Sequence, residues 1–301
     1  PTYDLTKYKS DYDKILNADN TPLLNRATSG LYRPGSTFKT ITATAGLNEG
    51  IVTGETTYTC HQRMKFYDIE FGCTGYHNDI SVAGALRVSC NIYFYELSRR
   101  LGIDKITEYA SLYGYGQHTG IETGDYAGAI GNPETFNDIG LDWTVGQVLQ
   151  AAIGQSETSV TPLQMAGVAS TIANRGVRYK THLVDSIYDY SMENEIEKIE
   201  PEIAETIDIN YDYVYDYVID GMVQASENNF PADYSLSNLG FDVAIKTGTP
   251  QNWRNGGEVT DSCFIGFAPA DDPQIAFAGM IEGAEYSKYM IRSIIQAYYK
   301  H

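Results

Sequence analysis

The sequence predicts an α+β domain in which helices pack against an antiparallel sheet. Three observations support this fold class: apolar residues at helical spacing after residue 35, an apolar, alanine-rich helical stretch after residue 161, and alternation of apolar and polar residues in the last third. With 301 residues, of which 43% are hydrophobic, the chain is long enough to bury a large core. We therefore expect one domain, or one domain with a lobe.

The first of these helices carries a serine and a lysine one turn apart. Ser36 lies near its start, Phe38 and Ile41 follow at helical spacing, and Gly50 suits its end. Lys39 then lies on the same face as Ser36, within side-chain reach. The Ser36 hydroxyl is expected at the positive end of the helix dipole.

Three more helices follow from local signals. One is predicted from Pro162 to Asn174, because Thr161 is a favoured cap and proline is tolerated at the first helical position. Another is predicted within 211–223, an acidic, tyrosine-rich stretch in which apolar residues recur every four positions. The last covers 286–299 and packs on the sheet.

The sheet is predicted from three alternating segments near the end of the chain. They cover 241–246, 263–267 and 275–281, and the proline-containing turn 269–273 joins the last two. Consecutive strands joined in this way form an antiparallel sheet. We interpret 250–257 as a loop beside it.

Charge excludes some classes of partner. Asp and Glu number 39 against 21 Lys and Arg, so the net charge of −18 argues against nucleic acid and anionic membrane surfaces. No run of 18 apolar residues and no amino-terminal signal sequence is present in the sequence as given.

Three short motifs carry the chemistry. Together they supply a serine nucleophile with a lysine base, a second hydroxyl with a polar amide, and a cationic strand that can hold a carboxylate. The lysine acts as a base only if burial or a neighbouring positive charge lowers its pKa. The motifs are S-x-x-K at Ser36–Lys39, S-x-N at Ser89–Asn91 and K-T-G-T at Lys246–Thr249.

In order, spacing and flanks, these motifs resemble the transpeptidase domain of penicillin-binding proteins. The resemblance implies the serine β-lactamase/penicillin-binding-protein fold: a central antiparallel sheet sandwiched by helices, plus an all-helical lobe. It also implies one transpeptidase domain over 1–301, excised from a longer protein anchored to the bacterial membrane and acting outside the cytoplasm. The matching blocks are Leu23–Ala27, Tyr32–Lys39, Ser89–Tyr95, Thr161–Ala166, Ala244–Thr249 and Phe264–Pro269.

Each motif residue has an expected role. Ser36 is the nucleophile, Lys39 the base, and Ser89 relays a proton to the leaving amine. Asn91 hydrogen-bonds the substrate amide. The backbone N–H groups of Ser36 and Thr249 form the oxyanion hole. The substrate carboxylate is expected on Lys246, Thr247 and Thr249, beside Gly248, whose missing side chain permits close approach of the substrate backbone.

The resemblance implies crosslinking of peptidoglycan stem peptides that end in D-Ala-D-Ala, with release of D-Ala and no catalytic cofactor. It further implies acylation by β-lactams and membrane-bound partners of cell-wall synthesis. Three alternatives share the motifs: a β-lactam sensor domain, a D,D-carboxypeptidase and a β-lactamase. A class A β-lactamase needs a further carboxylate, and Glu134 lies three residues before Asn137, where that pattern has four.

The four cysteines raise a separate question. Cys60, Cys73 and His77 are predicted to bind a structural zinc ion, although a Cys60–Cys73 disulfide or free thiols also fit the spacing. Cys90 and Cys263 have apolar neighbours and are interpreted as core residues. The candidates for a fourth zinc ligand are His61, Asp68 and Asp79.

Overall fold

The computed structural model describes residues 4–19, 21–228, 230–254 and 257–300. Its helices are α1 Tyr8–Leu16, α2 Arg26–Ser29, α3 Lys39–Asn48, α4 Val82–Val88, α5 Asn91–Leu112, α6 Pro133–Asp138, α7 Gln147–Ala151, α8 Pro162–Ala173, α9 Val214–Ser226 and α10 Ser287–Tyr299. Three 3₁₀ turns cover Leu5–Lys7, Gly35–Phe38 and Ala232–Tyr234. None of the helices in this part of the chain is both long enough and apolar enough to cross a membrane.

The strands are short except in one sheet. They are β1 Tyr58–Cys60, β2 Arg63–Phe66, β3 Ile69–Gly72, β4 Asn78–Ile80, β5 Val177–Tyr179, β6 Ser186–Tyr188, β7 Glu195–Lys198, β8 Ile203–Thr206, β9 Ala244–Gly248, β10 Gln251–Arg254, β11 Gly257–Thr260, β12 Ser262–Ala268 and β13 Ile275–Ile281. The order β13-β12-β9 forms an antiparallel three-stranded sheet, which confirms the three predicted strands.

Between β9 and β12 the chain forms a hairpin where we expected a loop. β10 and β11 pair antiparallel, with Gln251 opposite Thr260. The loop prediction was therefore wrong for the paired positions, because polar side chains and a Gly-Gly step resemble loop composition even when backbone hydrogen bonds form a ladder. Residues 255 and 256 lie outside the described residues.

The central sheet lies between two helical layers, as the fold class requires. Alternate side chains of β12, such as Ile265 and Phe267, enter the main core, which includes Met165 and Val168 of α8. The intervening Phe264 belongs instead to a smaller core with Ile291 and Ile295 of α10. Because side chains alternate across a strand, one strand contributes to both cores.

The predicted helices are present. Thr161 caps α8 in a capping box: its hydroxyl accepts from the Gln164 N–H at 3.2 Å, and the Gln164 side chain accepts from the Thr161 N–H at 2.8 Å. In α9, Val214, Val218 and Met222 are buried, which confirms the four-residue spacing as a helical face.

Two short strand pairs lie in the segment that joins two of the helices. β1 pairs with β4, and β2 pairs with β3, between helices α3 and α4. This segment leads directly into α4, which packs on α9 at close range. A Cβ atom placed on Gly221 of α9 would lie 2.8 Å from Leu86 Cβ and 3.0 Å from Ala83 Cα of α4.

Replacing Gly221 by alanine tests this packing. Alanine favours helices over glycine, yet here the added methyl group meets three atoms of Leu86 and Ala83 in α4, and overpacking costs about 1–3 kcal/mol. We expect Gly221→Ala to lower the free energy of unfolding in urea denaturation. Gly167→Ala in α8 is the matched control: nothing lies within 4 Å of the added Cβ, so a gain of up to about 1 kcal/mol is expected. A Gly221→Ala variant more stable than wild type would contradict the α4–α9 packing.

Candidate active site

Ser36 lies in a tight turn immediately before a helix. The 3₁₀ turn Gly35–Phe38 precedes α3, so Lys39 is the first residue of the α-helix. The Thr37 hydroxyl donates to Pro34 O at 2.7 Å, and the Gly35 N–H donates to Gly154 O at 2.9 Å. These bonds hold the turn against the rest of the core and leave the half-buried Ser36 side chain on the wall of a cleft.

Ser89 occupies a strained position at the junction of two helices. Its φ of +57° is left-handed, a conformation that glycine usually provides after a helix end. The Cys90 N–H donates to Ala85 O at 2.9 Å and the Ser89 N–H to Leu86 O at 3.3 Å, which closes α4. Helix α5 begins at Asn91, so the S-x-N motif is the turn between α4 and α5.

The Lys39 ammonium group is buried beside this turn, with its side chain 0% exposed. Its Nζ donates to Ser89 O at 2.8 Å, to Ser89 Oγ at 3.1 Å and to Asn91 Oδ1 at 2.5 Å. The alternation predicted for the motif is therefore confirmed: Ser89 and Asn91 point to the same lysine while Cys90 is buried behind them.

Lys246 reaches the same hydroxyl from the sheet. Its Nζ donates to Ser89 Oγ at 3.1 Å and to Thr247 O at 2.8 Å, and only 2% of the residue is exposed. The Ser89 hydroxyl thus lies between two buried lysines. The first comes from α3 and the second from β9.

Burial lowers the pKa of both lysines. For Lys39, desolvation is the main cause and the positive charge of Lys246 adds to it, so its pKa lies well below the usual value. For Lys246, desolvation first and then the charge of Lys288 lower the pKa to about 8. Burial and a neighbouring positive charge, the two causes that we expected to lower the pKa of Lys39, are therefore both present. At neutral pH Lys246 remains largely cationic.

Gly248 packs against the Ser36 turn, a contact that the sequence did not predict. A Cβ atom there would lie 2.7 Å from Cys263 Sγ, 3.1 Å from the Ser36 backbone nitrogen and 3.2 Å from Pro34 O. The missing side chain lets β9 pack against the Ser36 turn, so the glycine is required by the protein itself. This contact brings the Ser36 N–H to the end of the K-T-G-T strand.

A cleft of about 620 Å³ joins the three motifs. Ser36, Ser89, Asn91 and the strand Thr247–Thr249 all line it. The cleft also has walls that the motifs did not reveal, because these residues lie far apart in the sequence and have no motif of their own. The additional lining side chains include Tyr95, Gln150, Gln155 and Glu285.

The cysteine cluster has a fourth member that the sequence reasoning missed. Ligand atoms of Cys60, Cys73, His77 and Cys90 all lie within 4.8 Å of one another, and all four cysteines of the chain are free thiols. Cys90 is therefore buried among thiols rather than in a purely apolar core, whereas Cys263 donates to Pro34 O at 3.2 Å. The sequence feature that could have revealed this cluster is the presence of three cysteines and a histidine within 31 residues.

The three predicted candidates for the fourth position do not join this cluster. His61 is exposed and its Nδ1 bonds the Tyr76 hydroxyl at 2.5 Å, while Asp79 bonds the Thr59 hydroxyl. Asp68 is exposed in the turn between β2 and β3. All three side chains are exposed to solvent, whereas the cluster is partly buried, so that prediction was wrong.

We compared the chain with known proteins, and it matches the model of a protein family over nearly its whole length. The family model described as "Penicillin binding protein transpeptidase domain" matches residues 1–297. Peptidoglycan D,D-transpeptidase MrdA of Escherichia coli K12 is 28% identical over 94% of this chain and 48% of that protein. Peptidoglycan D,D-transpeptidase PbpA of Mycolicibacterium smegmatis is 31% identical over 93% of this chain and 56% of that protein. The chain spans about half the length of these curated relatives.

Solved structures agree in fold. PBP2 of Pseudomonas aeruginosa, in complex with WCK 5153, superposes with a TM-score of 0.86 at 28% identity, covering 99% of this chain and 69% of that chain. A second solved structure is titled "Structural coordination of polymerization and crosslinking by a peptidoglycan synthase complex". One of its chains superposes with a TM-score of 0.84 at 27% identity, and the match covers 97% of this chain and 50% of that chain.

The left-handed backbone at Ser89 gives a stability test. Ser89→Gly and Ser89→Ala both remove the hydroxyl, so they differ only in the Cβ atom that disfavours φ of +57°. We expect the glycine variant to be more stable than the alanine variant by about 1 kcal/mol in urea denaturation. Equal stability, or a more stable alanine variant, would show that the turn is unstrained. At Ser98 in α5, a regular helical position, the alanine variant should be the more stable of the pair.

Proposed function

Because this chain belongs to the family of penicillin binding protein transpeptidase domains, we propose that it crosslinks peptidoglycan through an acyl-enzyme at Ser36. The observation that carries the proposal is the Ser89 hydroxyl bonded by two buried lysines, Lys39 and Lys246, on the wall of the cleft that contains Ser36. This arrangement supplies a proton path without histidine.

In the proposed acylation step, Ser36 Oγ attacks the carbonyl between the two terminal D-alanines. Neutral Lys39 takes the hydroxyl proton, which its depressed pKa permits. The Ser89 hydroxyl then passes a proton to the leaving amine. In this structure the Lys39 Nζ donates hydrogen bonds to Ser89 and Asn91. The hydrogen bond between a catalytic base and its nucleophile often forms at full strength only when substrate binds.

The tetrahedral oxygen is proposed to bind the N–H groups of Ser36 and Thr249. The close packing of Gly248 on the Ser36 nitrogen supports this pairing, because it brings the strand end and the turn together. Each donor in such a site is commonly worth roughly 3 kcal/mol. The terminal carboxylate is proposed to lie on Lys246, Thr247 and Thr249, and the stem peptide on Asn91, whose Nδ2 donates to Gly72 O at 3.2 Å and retains a second N–H.

Transfer completes the reaction. D-Ala leaves, and an amine of a neighbouring strand attacks the Ser36 ester to form the crosslink. A β-lactam imitates the D-Ala-D-Ala end and would leave Ser36 acylated. We place the domain outside the cytoplasm with cell-wall synthesis partners, and the similarity to a chain of a peptidoglycan synthase complex supports such partners.

The β-lactamase alternative has weaker support. It requires a carboxylate beside the ester to activate water, and Glu134 is exposed on α6 and is not among the described residues that line the cleft. The carboxypeptidase and sensor alternatives share the whole site, so they are separated by product analysis.

We also propose a structural zinc ion held by Cys60, Cys73, His77 and Cys90. Zinc binds thiolates at about 2.3 Å and imidazole nitrogen at about 2.0–2.1 Å, so the ligands of a tetrahedral site lie about 3.5–3.8 Å apart. Three of the six separations are 3.9 Å for Cys73 Sγ to Cys90 Sγ, 3.6 Å for Cys73 Sγ to His77 Nδ1 and 3.5 Å for Cys60 Sγ to His77 Nδ1, and all six are within 4.8 Å.

This donor set fits zinc in chemistry as well as in spacing. Three thiols and one imidazole match a closed structural site, and the Asn91 N–H donates to Cys73 Sγ at 3.2 Å, as expected around a bound thiolate. When bound, zinc would crosslink the β1–β4 segment to the α4–α5 turn. It would support Ser89 and Asn91 and take no part in the acyl transfer.

Intact mass after incubation with a penicillin tests the nucleophile. Wild type is expected to gain the mass of one drug molecule, Ser36→Ala to gain nothing, and the remote, exposed Ser10→Ala control to behave as wild type. An adduct on Ser36→Ala would contradict the assignment, and recovery of hydrolysed drug would favour the β-lactamase. With D-Ala-D-Ala peptides, D-Ala release plus dimer supports the transpeptidase, release alone the carboxypeptidase, and neither product the sensor.

Metal analysis of the purified protein tests the zinc site. We expect about one zinc per chain, with Cys90→Ser losing the metal and several degrees of melting temperature because the ligands lose their crosslink. Cys263→Ser, also buried but outside the cluster, should retain the metal. Removal by a strong chelator should lower the melting temperature of wild type and not that of Cys90→Ser. A metal-free wild-type protein with unchanged thermal stability after chelation would refute the site.

A further inference from the structure

Asp261 is a buried carboxylate at the junction between two strands beside the cleft. It lies between β11 and β12, and the residue is 0% exposed. Burying a carboxylate is costly unless hydrogen bonds satisfy its oxygens, so the groups that bind it indicate what it holds in place. The acyl-transfer steps described above do not use this side chain.

The Asp261 side chain joins two segments of the chain. Its Oδ2 accepts a hydrogen bond from Asn252 Nδ2 at 2.6 Å, on β10. Its Oδ1 accepts from the Gly283 N–H at 2.8 Å, in the turn between β13 and α10. Because both oxygens of a carboxylate are acceptors, one side chain can bind both N–H groups at once. Asp261 therefore fixes the β10–β11 hairpin relative to the turn after β13.

Both of these segments contribute to the cleft. Gln251 and Thr260 of the hairpin line it, and so does Glu285 of the turn after β13. The buried Ser262 strengthens the same connection, because its Oγ accepts from the Tyr286 N–H at 3.2 Å. This wall of the cleft is thus held together from its buried side.

The backbone of Asp261 reaches the segment that follows the K-T-G-T motif. Its N–H donates to Pro250 O at 3.1 Å. Pro250 in turn packs on the turn that contains Ser36, since a Cβ atom placed on Gly35 would lie 3.2 Å from Pro250 Cβ, Cδ and N. Pro250 therefore lies between the nucleophile turn and Asp261.

A second contact ties this segment to the strand end before Ser36. The Arg33 guanidinium donates to Gln251 O at 3.1 Å, and it also forms an ion pair with Glu157 at 3.1 Å. The backbone from Thr249 to Gln251 is therefore held by Arg33 and Gly35 on the Ser36 side and by Asp261 on the other.

We propose that Asp261 is a positioning residue for the oxyanion hole. The Thr249 N–H, one of the two proposed donors, belongs to the residue just before Pro250. Proline fixes its own φ, so a shift of the Pro250 carbonyl is passed to the peptide plane that joins it to Thr249. This inference rests on the proposed acyl-enzyme at Ser36 and goes beyond it by assigning a role to a residue outside the three motifs.

The test separates binding of a penicillin from acylation by it. Stopped-flow measurements with a fluorescent penicillin at several concentrations give the noncovalent dissociation constant and the acylation rate constant. Asp261→Ala removes both acceptors and should lower the acylation rate constant about ten- to hundredfold, because a displaced donor stabilises the oxyanion poorly. The dissociation constant should change less than about twofold, since the oxyanion forms only after binding.

The conservative variant gives a rescue. Asp261→Asn keeps an acceptor for the Gly283 N–H, and its amide can pair with the amide of Asn252, so acylation should stay within about threefold of wild type. An Asp261→Asn variant as slow as Asp261→Ala would refute these hydrogen bonds as the means of positioning. Asp242→Ala, an exposed aspartate just before β9, is the matched control and should acylate as wild type.

A double-mutant cycle tests the contact between the two side chains. Asn252→Ala removes one of the two side-chain contacts from a partly exposed position, and it should lower the acylation rate constant about three- to fivefold. The double variant Asp261→Ala/Asn252→Ala should be no slower than Asp261→Ala. If Asp261→Ala does not fold, the rate of Asn252→Ala decides, and a wild-type rate there would contradict the inference.

An equilibrium measurement reports on the oxyanion hole itself. With an alkyl boronic acid as the probe, Ser36 Oγ bonds to boron, the serine proton passes to Lys39, and one oxygen of the tetrahedral boronate occupies the place of the oxyanion. We expect Asp261→Ala to bind the boronic acid at least about fivefold more weakly than wild type in a fluorescence titration. Asp261→Asn should bind it nearly as wild type.

Two results would overturn the inference while leaving the acyl-enzyme intact. One is an Asp261→Ala variant, shown to be folded by its melting temperature, that acylates at the wild-type rate. The other is a variant in which fewer molecules acylate but the rate constant and the boronic acid affinity are unchanged, because Asp261 would then support folding alone. Failure of wild type to be acylated at all would overturn the proposed function and this inference together.

Discussion

Two lysine side chains buried around one serine hydroxyl are the constraint on which the rest of this structure depends. Lys39 and Lys246 each lie 3.1 Å from Ser89 Oγ, and neither forms an ion pair with a carboxylate in the described part of the chain. Burying a cation costs several kcal/mol unless its hydrogen bonds are satisfied. Backbone carbonyls and neutral side chains satisfy them here, so α3, the α4–α5 turn and β9 must all be held in place.

The fold supplies that support from several directions. The absence of a side chain at Gly248 lets β9 reach the Ser36 turn, and Gly221 lets α9 pack on the helix that ends at Ser89. The cluster of three cysteines and His77 reaches the same turn through Cys90. The turn from Ser89 to Asn91 therefore belongs to the proposed catalytic site on one side and to the proposed metal site on the other.

The distribution of charge follows from the same constraint. The chain carries a net charge of −18, yet Lys39 and Lys246 are buried beside Ser89, and a cavity of about 440 Å³ on the other side of Ser89 is lined by Arg87, Lys246 and Lys288. A positive, partly enclosed site within an acidic protein focuses the field on small anions while the outer surface repels polyanions. Because each lysine raises the cost of protonating its neighbour, the positive charge of Lys246 also lowers the pKa of Lys39.

The sequence by itself determined the main helices and strands and the candidate reacting groups. Thr161 and Pro162 mark the start of α8, the alternation of apolar and polar residues marks β9, β12 and β13, and the three motifs contain the lysines and serines of the candidate site. These features could be predicted because they depend on backbone preferences and on contacts within a few residues. Only the tertiary structure decided that Cys90 completes the cluster, that β10 and β11 pair, that the backbone of Ser89 is left-handed and that Lys246 and Lys288 line one cavity. Those features join residues up to about 200 positions apart, and packing, which no local pattern records, determines which of them meet.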